Sequence, residues 1–367
     1  MSFGSILKQY DYLLPKELIA KKPSHPRDSA RLLVYKRPSK FTLSKTWREY
    51  PPQVGERGLI KFDIFKNIAK YLPKNAVLVF NQTKVVPARL PLIKSTGGKV
   101  EVLYIGHDRK FVKVLANKKL AVGQYLKLYR STSPAPRLGR GKLEVSKKQG
   151  QFYFLKPNFP INQITSVLQK YGKTPLPPYI KNSPLSEKQK RQQYQTVFAK
   201  TGISVAAPTA SLHFTKKLMN QLKKQGIEIK FVNLDVNLGT FAPLTEKNLK
   251  SKKLHLETYE INRKVFAEII KAKKNHRPII AVGTTAVRTL ESAMKFKRLS
   301  GQTNLFIRPP YKFKLVDGLI TNFHVPKSSL MMLVSSLVGR KKLLNLYQKA
   351  IRQNFRFFSF GDGMLII

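Results

Sequence analysis

The stretch PIIAVGTTAVRTLESAMKF, residues 278–296, decides the fold class of this chain. It opens on the short apolar run Ile279–Val282, which is typical of a buried β-strand. Gly283 ends that run, and TAVRTLESAMKF (285–296) follows, which we interpret as a helix. A strand that leads directly into a helix is the building unit of α/β folds, so the stretch predicts an α/β domain.

The same alternation of helices and strands continues on both sides of this stretch. Gly172 closes one predicted helix, and Thr215 and Asn262 suit the N-caps of two more. We expect helices over 162–171, 215–225, 262–274, 328–339 and 343–354, and strands over 227–236, 278–284, 305–309, 313–323 and 355–367.

A run of short β-like segments, separated by turn residues, precedes this alternation. Segments at this spacing favour a small barrel or sandwich. We therefore expect an α/β main domain, residues 1–70 and 158–367, with an inserted all-β, barrel-like domain, residues 71–157. The β-like segments are 76–80, 84–93, 99–106, 110–116, 124–129, 141–146 and 151–157.

The composition excludes several kinds of site. The 367 residues include no cysteine, so disulfides, a cysteine nucleophile, cysteine-ligated zinc and iron–sulfur clusters are excluded. The N-terminal residues lack the pattern of a signal peptide, and the longest apolar stretches, 279–287 and 330–339, are too short to span a bilayer. We expect a soluble, cytoplasmic protein that has no membrane partner.

The formal net charge is +50, from 69 basic and 19 acidic residues. Such a charge attracts polyanions and points to a nucleic-acid partner. The charge is spread along the chain rather than concentrated in one segment, and 50 Lys outnumber 19 Arg. An organism-wide preference for lysine is the alternative explanation of the charge.

Three common site motifs do not occur in the sequence. There is no G-x-G-x-x-G after a strand, no G-x-x-x-x-G-K-[ST] and no H-E-x-x-H. A Rossmann methyltransferase and a P-loop enzyme therefore have no direct support, and we expect no metal site.

Eight stretches contain more small, polar and rigid residues than a core strand needs. Most of them lie where a predicted strand meets a helix or loop, which is where ligands bind in α/β folds. The backbone N–H groups at the helix starts Thr284-Thr285 and Ser328-Ser329 suit anionic groups. The stretches are PLPPYI (175–180), QYQTVFA (193–199), AAPTASLHFT (206–215), NLGTF (237–241), LHLETYE (254–260), AVGTTAVRTLES (281–292), VDGLITNFHVPKSSLMML (316–333) and FRFFSFGDGMLI (355–366).

These stretches, in this order and over nearly the whole chain, resemble the S-adenosylmethionine:tRNA ribosyltransferase-isomerase family of queuosine biosynthesis. The segments YDYLLPKELIA…PRDSARLLV (10–34) and FNQTKVVPARL (80–90) match as well. The resemblance implies an α/β fold with an inserted β-barrel. It also implies that the ribosyl group of S-adenosylmethionine is transferred to 7-aminomethyl-7-deazaguanine at the wobble position of a GUN-anticodon tRNA. Isomerisation then gives epoxyqueuosine-tRNA, with S-adenosylmethionine as co-substrate and no permanently bound cofactor.

That reaction needs a base for the ribose C5′ proton, a hydrogen-bond partner for the leaving adenine and a pocket for the unstacked wobble base. His213, His255, Glu257 and His324 are the candidate catalytic residues. His255 and Glu257 alternate, so on a strand they would share one face as a base and its orienting partner. The alternative for the histidines is a purely structural role.

Six further residues are candidates for binding substrate. Arg288 suits a carboxylate or phosphate, or it pairs with Glu291 three residues further on. Asp317 and Asp362 are flanked by glycine, so each of them binds substrate or caps a turn. The complete set, with two candidates for the nucleobase at its end, is Thr209, Arg288, Asp317, Asp362, Tyr179 and Gln195.

Five positions depart from the family pattern that the motifs resemble. Asp235 and Asn237 replace a His and a Gly, and Lys252 replaces the first His of H-x-M-H-x-E. Gln82 and Gln193 replace an Asp and an Arg. These departures favour, as the alternative function, a catalytically weakened member that binds tRNA without modifying it.

Overall fold

The computed structural model describes residues 2–38, 58–130, 137–236 and 243–367. The described strands form a nine-stranded sheet, a closed six-stranded barrel and a two-stranded sheet. In chain order they are β1 (Arg31–Lys36), β2 (Leu59–Ile64), β3 (Val77–Asn81), β4 (Thr83–Val85), β5 (Arg89–Lys94), β6 (Lys99–His107), β7 (Val112–Ala116), β8 (Tyr125–Arg130), β9 (Arg137–Gln149), β10 (Phe152–Pro157), β11 (Thr201–Ser204), β12 (Glu228–Leu234), β13 (Lys253–Glu260), β14 (Ile279–Val282), β15 (Ser300–Leu305), β16 (Gly318–Asn322) and β17 (Gly363–Ile366).

Helices cover the large sheet and one end of the barrel. The N-caps predicted from sequence are confirmed, because the side chain of Thr215 accepts a hydrogen bond from the Leu218 N–H and that of Asn262 from the Lys264 N–H. The described α-helices are α1 (Phe3–Lys8), α2 (Ile164–Tyr171), α3 (Glu187–Gln193), α4 (Lys216–Lys224), α5 (Glu246–Ser251), α6 (Arg263–Lys274), α7 (Thr284–Phe296), α8 (Ser329–Val338) and α9 (Arg340–Arg352).

The nine-stranded sheet has the order β15-β13-β12-β3-β14-β16-β17-β1-β2. Its central strands β12, β3, β14 and β16 are parallel to one another. The residues of β3 alternate between two hydrophobic clusters, with Val77 and Val79 on one face and Leu78 and Phe80 on the other. Helices α6 to α9 contribute to the first cluster and α4 to the second. A mixed sheet with parallel central strands that is covered on both faces confirms the predicted α/β class.

The inserted all-β element is a closed barrel with the strand order β10-β7-β6-β5-β8-β9. Alternate residues of its strands point inward and form a separate hydrophobic cluster, for example Leu90 and Leu92 on β5 and Val112 and Val114 on β7. Helix α2 packs against this cluster. The structure therefore selects the barrel over the sandwich.

Strand pairing corrects the sequence interpretation at residues 76–80. The sequence groups this segment with the barrel, but β3 pairs with β12 and β14 in the large sheet. All five residues of β3 are buried, as expected for a strand that is covered on both faces. The strands of the barrel lie within residues 89–157. The domain boundary at residue 71 stays a prediction.

Two further strands lie elsewhere than the sequence predicts. β15 covers residues 300–305 rather than 305–309, because it is an edge strand whose first three residues are exposed and give no apolar signal. The last strand covers only residues 363–366. The chain turns tightly before it, since a Cβ atom on Gly361 would lie 2.4 Å from the carbonyl oxygen of Arg356.

The carboxyl ends of β14 and β16 lie at the same edge of the sheet, because the two strands are parallel neighbours. Gly283 connects β14 to α7 with a φ of +90°, which residues with a side chain rarely adopt. The loop after β16 leads to α8, which begins at Ser329. Two helix N-termini, each with a partial positive charge, therefore start beside this edge.

Candidate active site

A cavity with a volume of about 390 Å³ lies at this edge of the sheet, and we call it the main cavity. Its size is in the range of sites that bind small molecules. It is lined by the residues that follow β14 and β16, by segment 207–210 and by Phe358 and Ser359. Thr209, Tyr179 and His324 line it, so three of the predicted site residues share one cavity.

Asn322 links two predicted site residues at the end of β16. Its side-chain oxygen accepts a hydrogen bond from Thr209 Oγ1 at 2.9 Å, and its Nδ2 donates to His213 Nε2 at 3.2 Å. Sequence reasoning missed Asn322, although an asparagine at the end of an apolar strand signals a buried amide that needs partners. Thr209 and Asn322 line the main cavity, and His213 lies behind them.

His213 is a buried, neutral histidine. Its ring stacks on Phe65 with the centroids 4.6 Å apart. Burial lowers its pKa to about 3, and the nearby Arg356 and Arg27 charges act in the same direction. His213 does not line the cavity itself, but its hydrogen bond to Asn322 helps to orient the amide that does.

His324 lines the main cavity and is held at three points. Its Nε2 is hydrogen-bonded to Thr321 Oγ1 at 2.8 Å, and its backbone N–H donates to the Tyr347 hydroxyl at 2.9 Å. Its carbonyl oxygen accepts a hydrogen bond from the Tyr12 hydroxyl at 2.5 Å. Burial lowers the pKa of His324 to about 3, so the imidazole is neutral at physiological pH. It therefore offers a rigid, uncharged hydrogen-bonding edge.

Tyr179 and Phe358 form the aromatic wall of the main cavity. Their ring centroids are 4.8 Å apart at an interplanar angle of 54°. The Tyr179 hydroxyl is hydrogen-bonded to Ser359 Oγ at 2.6 Å, and burial raises the pKa of this phenol. The wall offers ring surface to a planar ligand such as a nucleobase.

A second, smaller cavity of about 20 Å³ adjoins the main one. It shares Thr284, Thr285 and Leu330 with the main cavity, and the starts of α7 and α8 both contribute to it. The predicted residues His255, Glu257 and Arg288 all line it. The alternation of His255 and Glu257 along β13 therefore places both at one cavity, with His255 exposed and Glu257 buried.

Arg288 pairs with Glu257 rather than with Glu291. Its Nη1 donates to Glu257 Oε2, and its Nε donates to the Leu305 carbonyl at 3.3 Å. Glu291 instead accepts hydrogen bonds from the backbone N–H groups of residues 314–316 and from the Tyr311 hydroxyl. The i,i+3 pairing considered from the sequence is thus wrong, because both carboxylates have their own tertiary partners.

Three predicted substrate-binding residues lie apart from both cavities. The Gln195 side chain pairs with the backbone of Val85: its Oε1 accepts a hydrogen bond from the Val85 N–H at 3.0 Å, and its Nε2 donates to the Val85 carbonyl at 3.1 Å. Asp317 lies at the opposite, amino end of β16, where it binds Lys273 Nζ at 2.5 Å.

Asp362, the third of them, is buried in an ion pair with Arg356 at 3.0 Å. It also accepts a hydrogen bond from the Arg31 N–H at 3.1 Å. The structure gives all three side chains protein partners, and their proposed contacts with substrate stay predictions.

Four of the five departures from the family pattern lie within the described residues, and Asp235 and Lys252 are two of them. Asp235 accepts hydrogen bonds from Thr83 Oγ1 at 2.7 Å and from the Ile203 N–H at 3.2 Å, so it ties β4 and β11 to the end of β12. Lys252 is exposed and ends α5 in a left-handed conformation with a φ of 54°. Asn237 lies outside the described residues.

Among the described residues, no group of three or more His, Asp or Glu side chains is arranged to hold a metal ion. No helix in that part of the chain is long and apolar enough to cross a membrane.

Fold and site define the class of protein. A ligand-sized cavity at the carboxyl ends of parallel central strands, with a fixed hydrogen-bonding wall and an aromatic wall, is the arrangement of an α/β enzyme that binds a small substrate there.

Comparisons with known proteins narrow this class to one family. The chain matches the family described as "Queuosine biosynthesis protein" over residues 7–366. It is 44% identical to the S-adenosylmethionine:tRNA ribosyltransferase-isomerase of Carboxydothermus hydrogenoformans, over 98% of this chain and 99% of that protein. Identity to the Fusobacterium nucleatum protein of the same name is 42%, over 99% and 97% of the two chains. A crystal structure of the S-adenosylmethionine tRNA ribosyltransferase of Thermotoga maritima superposes with a TM-score of 0.53 at 29% identity, over 98% of this chain and 100% of that chain.

The chain belongs to the queuosine biosynthesis protein family, the S-adenosylmethionine:tRNA ribosyltransferase-isomerases. The resemblance seen in the motifs is confirmed, and so is the prediction of a transferase. The alternative of a non-catalytic tRNA-binding protein is not favoured, because the relatives are named for the activity. The roles of single residues stay predictions.

Proposed function

We propose that this enzyme transfers and isomerises the ribosyl group of S-adenosylmethionine onto 7-aminomethyl-7-deazaguanine at the wobble position of tRNAs with a GUN anticodon. The product is epoxyqueuosine-tRNA, and adenine and methionine are released. S-adenosylmethionine is consumed as co-substrate, so the reaction needs no permanently bound cofactor. We place the reaction in the cytoplasm, where tRNA is available.

The main cavity is the observation that supports this proposal most. It combines the aromatic wall of Tyr179 and Phe358 with the hydrogen-bonding groups of Thr209, Asn322 and His324. A nucleobase needs both, since its faces stack and its edge forms hydrogen bonds. The net charge of +50 supplies attraction for the tRNA backbone.

The environments of the histidines divide the proposed roles between them. His255 is exposed at the small cavity, so we assign the proton transfer at the ribose to it. His324 stays neutral and is assigned a hydrogen bond to the leaving adenine. His213 positions Asn322, and Glu257 is the buried carboxylate beside His255.

The test is an assay with purified protein, S-adenosylmethionine and tRNA that carries the aminomethyl precursor. We expect release of adenine and an epoxyqueuosine nucleoside detected by mass spectrometry. The matched control is the same tRNA with guanine at the wobble position, which should release no adenine. The absence of product at any excess of enzyme would contradict the proposal.

A further inference from the structure

Two buried polar atoms at the start of α7 lack hydrogen-bond partners within the described part of the chain. They are Thr285 Oγ1 and Arg288 Nη2. The two residues are 7% and 6% exposed, and both line the small cavity. Because buried polar groups in folded proteins are almost always paired, two free donors on adjacent turns of one helix point to a ligand that is bound there.

The Arg288 charge is already balanced by Glu257, so it is the remaining hydrogen-bond donors around these atoms that favour an anion. Arg288 already uses Nη1 on Glu257 and Nε on the Leu305 carbonyl, so Nη2 is the remaining edge of the guanidinium. The N-terminus of α7 has no side-chain cap, and α8 begins at the same cavity with Ser329. Backbone N–H groups at helix starts are unpaired donors that attract negative charge.

The size of the cavity decides which anion fits. A volume of about 20 Å³ holds little more than one water-sized group, for which roughly 10–15 Å³ are needed. A flat carboxylate suits this space, with one oxygen for Arg288 Nη2 and the other for Thr285 Oγ1, whereas a tetrahedral phosphate is larger. An RNA phosphate is therefore the less suitable occupant.

The small cavity adjoins the main one, and Thr284, Thr285 and Leu330 line both. We infer that one ligand spans both cavities: the amino-acid carboxylate of the sulfonium nucleoside binds Arg288 Nη2 and Thr285 Oγ1, and the nucleoside part lies in the main cavity. This inference rests on the proposed function, which supplies S-adenosylmethionine as the substrate. It makes Thr285 and Arg288 the residues that recognise the amino-acid end of that substrate.

The test compares binding of S-adenosylmethionine with binding of its decarboxylated analogue, which keeps the sulfonium, the amine and the nucleoside. Titration calorimetry should show that the wild-type protein prefers S-adenosylmethionine. Thr285→Val removes one hydrogen bond to a charged group and should reduce this preference about tenfold. Arg288→Lys cannot keep the contacts with Glu257 and Leu305 and also supply the Nη2 donor, so it should reduce the preference at least as much.

Ser292→Ala is the matched control, because it removes a hydroxyl from the same helix at a position that contacts Thr303 instead of a cavity. It should leave the preference unchanged. Equal binding of both compounds by the wild-type protein, or an equal loss for both in Thr285→Val, would overturn the inference and leave the proposed function standing. A wild-type protein that binds neither compound would overturn both.

Discussion

The carboxylate of Glu257 on β13 and the guanidinium of Arg288 on α7 form an ion pair that is buried on both sides. The two side chains are 2% and 7% exposed. Burial lowers the pKa of Arg288 to about 10, so the group is still charged at neutral pH. The pair fixes β13 against α7, whose first turn lines the small cavity, and each charge depends on the other for its compensation.

Glu257→Gln should strongly destabilise the protein, because it leaves the buried Arg288 charge uncompensated. We expect a loss of about 3–5 kcal/mol in the free energy of unfolding, measured by urea denaturation. The matched control is Glu246→Gln, which breaks the exposed pair with Lys250, whose side chains are 59% and 76% exposed. That variant should lose less than about 0.5 kcal/mol. Similar small losses in both variants would mean that Arg288 does not depend on Glu257.

Thr285→Val should not destabilise the protein, although the residue is buried. Its hydroxyl has no partner among the described residues, so its removal ends an uncompensated desolvation penalty. We expect the free energy of unfolding to rise by about 1 kcal/mol. Ser292→Ala should lower it by about 1 kcal/mol, because it leaves the Thr303 hydroxyl, bonded at 2.6 Å, without this partner. A clear loss of stability in Thr285→Val would show that the hydroxyl has a partner in the folded protein.

The stability of the protein should fall as the pH is lowered below about 6.5. Burial lowers the pKa values of His213 and His324 to about 3, below the value near 6.5 of an unfolded chain. Between these values the unfolded chain binds more protons than the folded protein, so acid favours unfolding. Each histidine should contribute a slope of up to about 1.4 kcal/mol per pH unit.

Urea denaturation from pH 7 down to pH 4 measures that slope. His213→Gln should flatten it relative to the wild-type protein, whatever its effect on stability at pH 7. His276→Asn is the control, because His276 is exposed and its φ of 53° is one that Asn tolerates. An unchanged slope in His213→Gln would mean that His213 does not titrate on unfolding.

Local sequence signals predicted the helices and strands of this fold better than they predicted which strands pair with each other. Gly283 between an apolar run and a helical segment was sufficient for β14 and α7, and the caps Thr215 and Asn262 were sufficient for two more helix starts. The sheet position of β3 was not predictable in this way. Its neighbour β12 lies far along the chain, with Val77 opposite Glu228, and no local pattern specifies such a pairing.

Site residues were predictable where they lie in a loop or directly after a strand. Thr209 lies in the segment that follows β11, and His324 lies two residues after the end of β16. Both line the main cavity. Asp317, like Asp362, was selected because it is flanked by glycine, but it lies at the amino end of β16. A turn motif does not tell at which edge of a sheet the turn lies. The partner of Arg288 was missed because it comes from a strand 31 residues away.

The last prediction concerns His255 and Lys252 on either side of the start of β13. His255 is exposed, so His255→Ala should leave the melting temperature nearly unchanged. If His255 transfers the ribose proton, the same variant should lower kcat by about 10²–10⁴-fold, the usual contribution of one acid–base group. Lys252→His restores the family's histidine at an exposed, left-handed position, and it should leave activity equal or raise it. Measuring kcat and melting temperature for both variants separates a catalytic role of His255 from a purely structural one. A stably folded His255→Ala protein with unchanged kcat would remove His255 from the catalytic group and leave the proton transfer to another residue of the two cavities.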